Sequence, residues 1–206
     1  MLEPTEFGYG GFSFHWGDHI CGIFDSHAQQ MDIMSGFIGA GLRAEQRCVW
    51  VSPPPSAEGL RNALAEMGGD AITIEASSQL LVLDQIDFYL RGGVFDPERT
   101  IDLIHSLLED NAREGYPAMR FANDVSWLSK ELVDPTAWEI FESRLTHQIS
   151  ALPMVMMCQY NRHQVSGDMI VTALETHPTV LLGDHFHRNP FFSPVPIGPT
   201  DSREII

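Results

Sequence analysis

The segment His19-Ile20-Cys21-Gly22-Ile23-Phe24-Asp25-Ser26 leads into an amphipathic run ending Gly39-Ala40-Gly41-Leu42, and that run leads into Arg47-Cys48-Val49-Trp50-Val51. An apolar run, a helical pattern and a second apolar run make a β-α-β unit. Such units build parallel sheets with helices on their faces. In many nucleotide-binding folds the phosphate loop lies where this first strand turns into its helix. Here the turn is Phe24-Asp25-Ser26-His27-Ala28. It has no glycine cradle and no Gly-Lys-Ser/Thr, and Asp25 would repel phosphate. The reading is a nucleotide-binding scaffold whose phosphate loop is degenerate.

Outward from this unit, a strand is expected over 18–24 and a helix from about Ser26 to Leu42. That helix buries Ile33, Met34, Phe37, Ile38 and Gly41 on one stripe. A second strand covers 47–51. Ser52-Pro53-Pro54-Pro55 reads as a turn before a helix from Ser56 to Met67, stopped by Gly68-Gly69. Short strands are read at 71–75 and 80–83, and a helical turn over 87–90 ends at Gly92-Gly93. Asp96-Pro97 starts a helix to about Arg113, followed by a strand over 118–122. Asp134-Pro135 starts another helix to about Ser150. A strongly apolar strand follows over 154–160, then a helix from Ser166 to Thr176. His177-Pro178 breaks it, and 179–182 reads as the last strand. Residues 1–16 form an N-terminal arm in which Phe12, Phe14 and Trp16 alternate as in a short edge strand. Residues 184–206 form a Pro-rich tail that either packs on the body or leads into a further domain. The alternation predicts one α/β domain over 1–206, three-layered, with a mostly parallel sheet and helices on both faces.

The chain has 206 residues, enough for a full core, and its hydrophobic fraction of 44% is ordinary for a globular protein. Asp plus Glu number 28 against 12 Lys plus Arg, a formal net charge of −16. Such an acidic surface argues against direct nucleic-acid binding and against anionic membranes. No apolar run is long enough to span a bilayer. The start Met1-Leu2-Glu3-Pro4-Thr5-Glu6 lacks the basic region of a signal peptide, so a cytoplasmic location is expected. Three cysteines, Cys21, Cys48 and Cys158, lie in apolar strand-like runs. An odd number there suits reduced thiols rather than disulfides.

In open parallel sheets ligands sit beyond the carboxyl ends of the strands. Those ends offer Phe24, Asp25 and Ser26, then Asn123, Asp124 and Trp127, then Gln159, Tyr160 and Asn161. The set is polar and aromatic and contains no lysine, so it suits a small or uncharged ligand better than a triphosphate. His19 and Cys21 share one strand face. With Cys158 and His177 they supply ligand types for zinc, iron or copper. Their spacing matches no metal signature, and buried Cys and satisfied strand His are the ordinary alternative. Haem ligation is chemically open but has no attachment motif. Arg120 in an apolar strand needs a carboxylate or a ligand, with Asp124 and Glu142 as candidate partners. Trp127, Trp16 and Tyr160 could line an apolar pocket, whereas Trp138 reads as plain core. His185 and His187 flank Phe186 in the tail and read as solvated. No Gly-x-Ser-x-Gly elbow or activated cysteine supports nucleophilic catalysis.

The ordered set Gly17-Asp18-His19-Ile20-Cys21, Gly41-Leu42, Arg120 with Asp124 and Trp127, Cys158-Gln159-Tyr160 and His177-Pro178 resembles the MEDS domain. That family takes its name from methanogens, methylotrophs and the sensory region of a dichloromethane-responsive regulator. The resemblance runs from about residue 15 to the tail. It implies a RecA/KaiC-like fold with a degenerate phosphate loop. It also implies a non-enzymatic sensory role in signal transduction, proposed for simple hydrocarbon derivatives. The output partner would be a histidine kinase, an anti-sigma-type protein or a transcription factor. Asp124 stands where the family pattern suggests Glu. By this resemblance His19, Cys21, Arg120, Trp127, Cys158, Tyr160 and His177 are site candidates, joined by Asp25 and Asp124 from the strand ends. No cofactor is required by the sequence. A metal- or haem-dependent redox sensor using His19, Cys21, Cys158 and His177, a RecA-like ATP-binding enzyme, and a scaffold binding only protein remain as alternatives. An oligomer is compatible with each.

Overall fold

The computed structural model describes residues 4–130 and 133–196. The first three residues of the arm and residues 197–206 of the tail lie outside the described residues. Two short strands come first, β1 (Thr5–Glu6) and β2 (Ser13–Phe14), paired antiparallel in a sheet of their own. Then follow β3 (His19–Phe24), α1 (His27–Arg43), β4 (Arg47–Ser52), α2 (Pro54–Glu66), α3 (Ala71–Ala76), β5 (Leu80–Asp84), α4 (Gln85–Tyr89) and α5 (Pro97–Arg113). The second half holds β6 (Met119–Asp124), a 3-10 helix (Ser126–Lys130), α6 (Pro135–Ile149), β7 (Met154–Asn161), α7 (Gly167–Thr176), β8 (Thr179–Leu182) and β9 (His185–Arg188).

The main sheet has the order β5-β4-β6-β7-β3-β8-β9, parallel throughout except for the antiparallel β8–β9 pair. Every residue of β3, β4 and β6 is buried, as a parallel sheet covered on both faces requires. One face packs α1, α2, α3 and the arm through Ile33, Phe37, Leu60 and Leu64. The other packs α4 to α7 through Tyr89, Ile104, Trp138, Phe141 and Ala173. The three-layer α/β expectation therefore holds. Side-chain caps start the helices where the sequence suggests: Ser26 accepts from the Gln29 amide, Asp96 from Arg99, Asp134 from Thr136 and Ser166 from Met169.

Three local expectations change. Residues 71–75, read as a short strand, form α3. The Asp70 side chain caps it by accepting from the Thr73 amide, and a capped turn outweighs weak β propensity. Pro54 and Pro55 lie inside α2 rather than in a turn before it, because a missing N–H costs nothing in a first helical turn. The strand over 179–182 is not the last. The chain reverses at Gly183, with φ +65°, and β9 returns along β8. His185 and His187 are therefore exposed on an edge strand rather than in a loose tail, and Phe186 packs edge-on against Phe7 and Phe12 of the arm.

Arg120, at the amino end of β6, ties the arm to the sheet. It is fully buried. Its Nε donates to Gln46 Oε1 at 2.7 Å, and Nη1 donates to the carbonyls of Phe7 (2.8 Å) and Phe37 (2.9 Å). Nη2 donates to the Glu6 carbonyl at 2.6 Å. The guanidinium lies over the rings of Phe14 and Phe37, 5.1 and 5.0 Å from their centres. Burial brings its pKa down to about 10, so it remains charged at neutral pH. The expected pairing with Asp124 or Glu142 is replaced by carbonyl binding. Asp124 lies four residues along the same strand, roughly 13 Å away at strand rise, and Glu142 packs on the opposite face. Gly41 makes the room: a Cβ there would lie 2.6 Å from both Arg120 Cδ and Cys48 Sγ. Gly8 and Gly36 likewise let the arm and α1 meet backbone to backbone, since a Cβ on Gly8 would lie 2.2 Å from the Gly36 carbonyl oxygen.

Arg120→Met should strand the carbonyls of Glu6, Phe7 and Phe37 without this donor. The expected loss is roughly 3 kcal/mol or more of unfolding free energy, read by urea denaturation, with proteolysis shifting to the N-terminal arm.

Candidate functional site

His19, the first residue of β3, points to the face covered by α6 and α7. Cys158 of β7 projects to the same side, as does Cys21, its register partner. Glu142 enters from α6, and His177 ends α7 just before β8. These four side chains meet in a volume closed to solvent, each at 0% exposure. His19 Nε2 lies 3.1 Å from Cys158 Sγ and 3.4 Å from Glu142 Oε2. His177 Nε2 lies 3.5 Å from the same carboxylate oxygen, and Cys158 Sγ lies 3.8 Å from it. The two imidazole rings are 4.0 Å apart at their centres. Tyr160 Oη adds a long donation to Glu142 Oε1 at 3.4 Å.

The hydrogen bonds behind this cluster settle both imidazole tautomers. Thr146 Oγ1 donates its only proton to the Thr176 carbonyl at 2.7 Å, so toward His19 Nδ1, 2.6 Å away, it can only accept. His177 Nδ1 lies 2.8 Å from the Ala173 carbonyl, which also only accepts. Both rings thus carry their proton on Nδ1 and turn an Nε2 lone pair inward. Burial pushes the Glu142 carboxyl up to about 8 and brings His177 down to about 4. Burial, with His177 alongside, holds His19 well below its ordinary value. Burial, reinforced by Glu142 and Cys21, raises the Cys158 thiol. Left to themselves, all four groups stay neutral at pH 7, because no single charge is worth its desolvation there.

The other face carries a second polar group at the strand carboxyl ends. Gln30, in the opening turns of α1, donates from Nε2 to Asp124 Oδ2 at 2.9 Å and to Gln159 Oε1 at 2.6 Å. Asp124 also accepts from the Ser126 amide at 2.8 Å. A glutamine amide therefore lies against the acidic group where a phosphate-binding scaffold would present lysine or a hydroxyl. Farther along the rim, β4 exits into α2 on one face and β5 exits into α4 on the other. The two strands stay paired to their last residues, Ser52 and Asp84, and an open cleft of about 200 Å³ lies between α2 and the carboxyl end of β5, lined by Ser52, Pro54, Ala57, Arg61, Val82, Leu83 and Asp84.

The nine residues singled out from sequence thus divide. His19, Cys158 and His177 come together, with Tyr160 at their edge. Cys21 lies beside Cys158 but outside the convergent set, its thiol raised chiefly by burial. Trp127 stacks on Tyr89 with ring centres 4.8 Å apart and belongs to the α4–α7 core, while Trp16 packs on the opposite face. The pocket expected between Trp16, Trp127 and Tyr160 is therefore not formed. Arg120 and Asp124 lie on the α1 face, and Asp25 is exposed at the rim, ion-paired with Arg162. Sequence reasoning took Glu142 only as a partner for Arg120 and passed over Thr146 and Gln30. The signal for Glu142 was present: it sits among Trp138, Phe141 and Leu145, a carboxylate on the buried stripe of α6.

The family model of the methanogen/methylotroph, DcmR sensory domain (MEDS) matches residues 18–178. The chain belongs to the MEDS family. Its curated relatives include the transcriptional repressor DcmR of Methylorubrum extorquens, 22% identical over 178 residues, covering 81% of this chain and 60% of that protein. The MEDS chain thus spans about 60% of the length of that relative. A solved KaiC-like protein of Pyrococcus horikoshii has the same fold, with TM-score 0.63 and 13% identity over 87% of this chain and 80% of that one. A RecA/KaiC-like fold and membership of a family of sensory domains follow. No helix among the described residues is long and apolar enough to cross a membrane.

Thr146→Val, of nearly equal shape, should leave His19 Nδ1–H and the Thr176 carbonyl without the hydroxyl between them. A loss of about 2 kcal/mol is expected in urea unfolding.

Proposed function

We propose that this MEDS domain is a non-catalytic sensor that binds a small, largely apolar molecule in the cleft between α2 and the carboxyl end of β5. Binding there is passed to a regulatory protein partner, a transcription factor or a kinase. The observation that carries this reading is the cleft itself. It lies where two neighbouring strands exit to opposite faces, the place at which open α/β sheets take their ligands. Its walls join apolar surface from Pro54, Ala57, Val82 and Leu83 to polar groups of Ser52, Arg61 and Asp84. Ser52 Oγ is buried and has no hydrogen-bond partner, so a ligand hydroxyl or amine would complete it. Its volume of about 200 Å³ takes a molecule of roughly half a dozen heavy atoms, judged by the ~30 Å³ share of a water.

The relay needs only differential affinity. A ligand that holds α2 against β5 favours one arrangement of that edge, and a partner touching the edge reads the shift. Ile72 and Met67, exposed at 81% and 51%, lie on the same flank and offer apolar contact. Support for a regulatory output comes from the likeness to a transcriptional repressor. An ATP-driven role is disfavoured by Gln30, whose amide is committed to Asp124 and Gln159.

Thermal unfolding with dichloromethane, methanol and methylamine at rising concentration tests this. At about a hundred times Kd, one of these classes should stabilise the chain by roughly 2.7 kcal/mol, a rise of several degrees in Tm. Ala57→Phe, which fills the cleft, should abolish the shift. Stabilisation by magnesium–ATP instead, or no response to any of the compounds, would overturn the reading.

A further inference from the structure

We propose that His19 Nε2, Cys158 Sγ, His177 Nε2 and a carboxylate oxygen of Glu142 form a closed four-ligand site for zinc or a similar divalent transition ion. The site lies beneath α6 and α7, on the opposite sheet face from α2 and away from the cleft between α2 and β5, and it does not depend on the ligand-binding reading. Four lines of geometry support it.

Four of the six separations between the ligand atoms are close to the edges of a coordination tetrahedron. Zinc bonds of about 2.0 Å to N and O and 2.3 Å to S put neighbouring ligand atoms about 3.3–3.5 Å apart. The separations are 3.1 Å (His19–Cys158), 3.4 Å (His19–Glu142), 3.5 Å (His177–Glu142) and 3.8 Å (Cys158–Glu142). All four ligand atoms lie within 4.8 Å of one another.

The backing is that of a metal site. Ligating histidines commonly donate their far N–H to a carbonyl, carboxylate or other acceptor, which fixes the tautomer and aims the lone pair. Thr146 does this for His19, and the Ala173 carbonyl does it for His177. His177 Nε2 is buried and accepts no hydrogen bond. A lone pair shut away from water without a donor is a cost that a cation removes.

The charge closes as well. A thiolate, a carboxylate and two neutral imidazoles sum to −2, so a divalent ion leaves the buried volume neutral. On binding, the ion displaces the Cys158 thiol proton and the Glu142 carboxyl proton to solvent, with no change of oxidation state. Nitrogen, sulfur and carboxylate donors in this mixture suit zinc better than magnesium or calcium, which take oxygen sets.

Finally, the ligands come from β3, α6, β7 and the end of α7. They join β3 to three elements that follow it by more than a hundred residues, and they leave no coordination position open. That is the form of a structural site rather than a catalytic one.

The test uses the whole chain, prepared without a histidine tag, unfolded, and refolded with one equivalent of zinc or cobalt(II). Elemental analysis after desalting should give about one ion per chain. The cobalt form should show the intense visible bands of tetrahedral coordination and a thiolate charge-transfer band in the near ultraviolet. Cys158→Ser should lose the charge-transfer band, and His177→Gln should weaken binding at least a hundredfold. Cys21→Ala should keep both the metal and the spectrum. The wild-type cobalt spectrum reports thiolate ligation by itself, so the proposal stays testable if a variant fails to fold. A folded wild type that retains no ion after refolding with either metal would overturn it, leaving a network held by protons alone. So would an ion whose binding is unchanged by Cys158→Ser and His177→Gln.

Discussion

Two imidazoles, a thiol and a carboxyl group share one volume from which water is excluded. None can keep a charge there alone, and none can turn away without leaving a polar atom unmatched. This requirement restrains the surrounding elements. A one-residue slip of β3 against β7 would move His19 to the far face and leave Cys158 without its neighbour. A turn of α6 by one residue would withdraw both Glu142 and Thr146, which sit four apart on one helical stripe. Apolar packing alone tolerates such slips more readily, because one methyl group can replace another. The polar centre is therefore a register device for half the molecule, whatever else it holds.

The opposite face solves its own burial problem in a different way. Arg120 is shut away from water and makes no ion pair with a carboxylate among the described residues. It gathers the backbone carbonyls of the arm and of α1 instead. A guanidinium offers five donors in a rigid fork, which is why one side chain can fasten β1, the segment after it and α1 together. At the other end of the same strand, Gln30, Asp124 and Gln159 close on one another. The scaffold shares its architecture with a KaiC-like protein, yet its phosphate corner is occupied by its own side chains. An open cleft at the rim lies between α2 and the end of β5, beside the point where the connections of β4 and β5 diverge.

How much of this could be read beforehand varied with the range of the interaction. His19, Cys158 and His177 were legible as ligand types, but their meeting was not, since parallel strand pairing and a crossover helix bring them together. Cys21 looked equivalent to Cys158 by face and burial, and only the position of the imidazole rings separates the two. Arg120 announced itself as a buried cation in need of partners. The natural guess was a carboxylate, and the carbonyls that answer it come from residues more than eighty positions away. Residues 71–75 misled because a five-residue segment carries too little periodicity to separate strand from helix, and the Asp70 cap decides it.

The sequence by itself determined the β-α-β beginning, the helix caps at Ser26, Asp96, Asp134 and Ser166, and the loss of the phosphate loop. These depend on side-chain alternation and on hydrogen bonds spanning three or four residues. It also carried enough ordered residues to indicate the MEDS family. Only the tertiary structure decided the strand order, the division of the candidate residues between two sheet faces, and the entry of Glu142 into the buried centre. Those outcomes depend on contacts between residues far apart in the chain, and no local pattern encodes which of several buried polar groups will find one another.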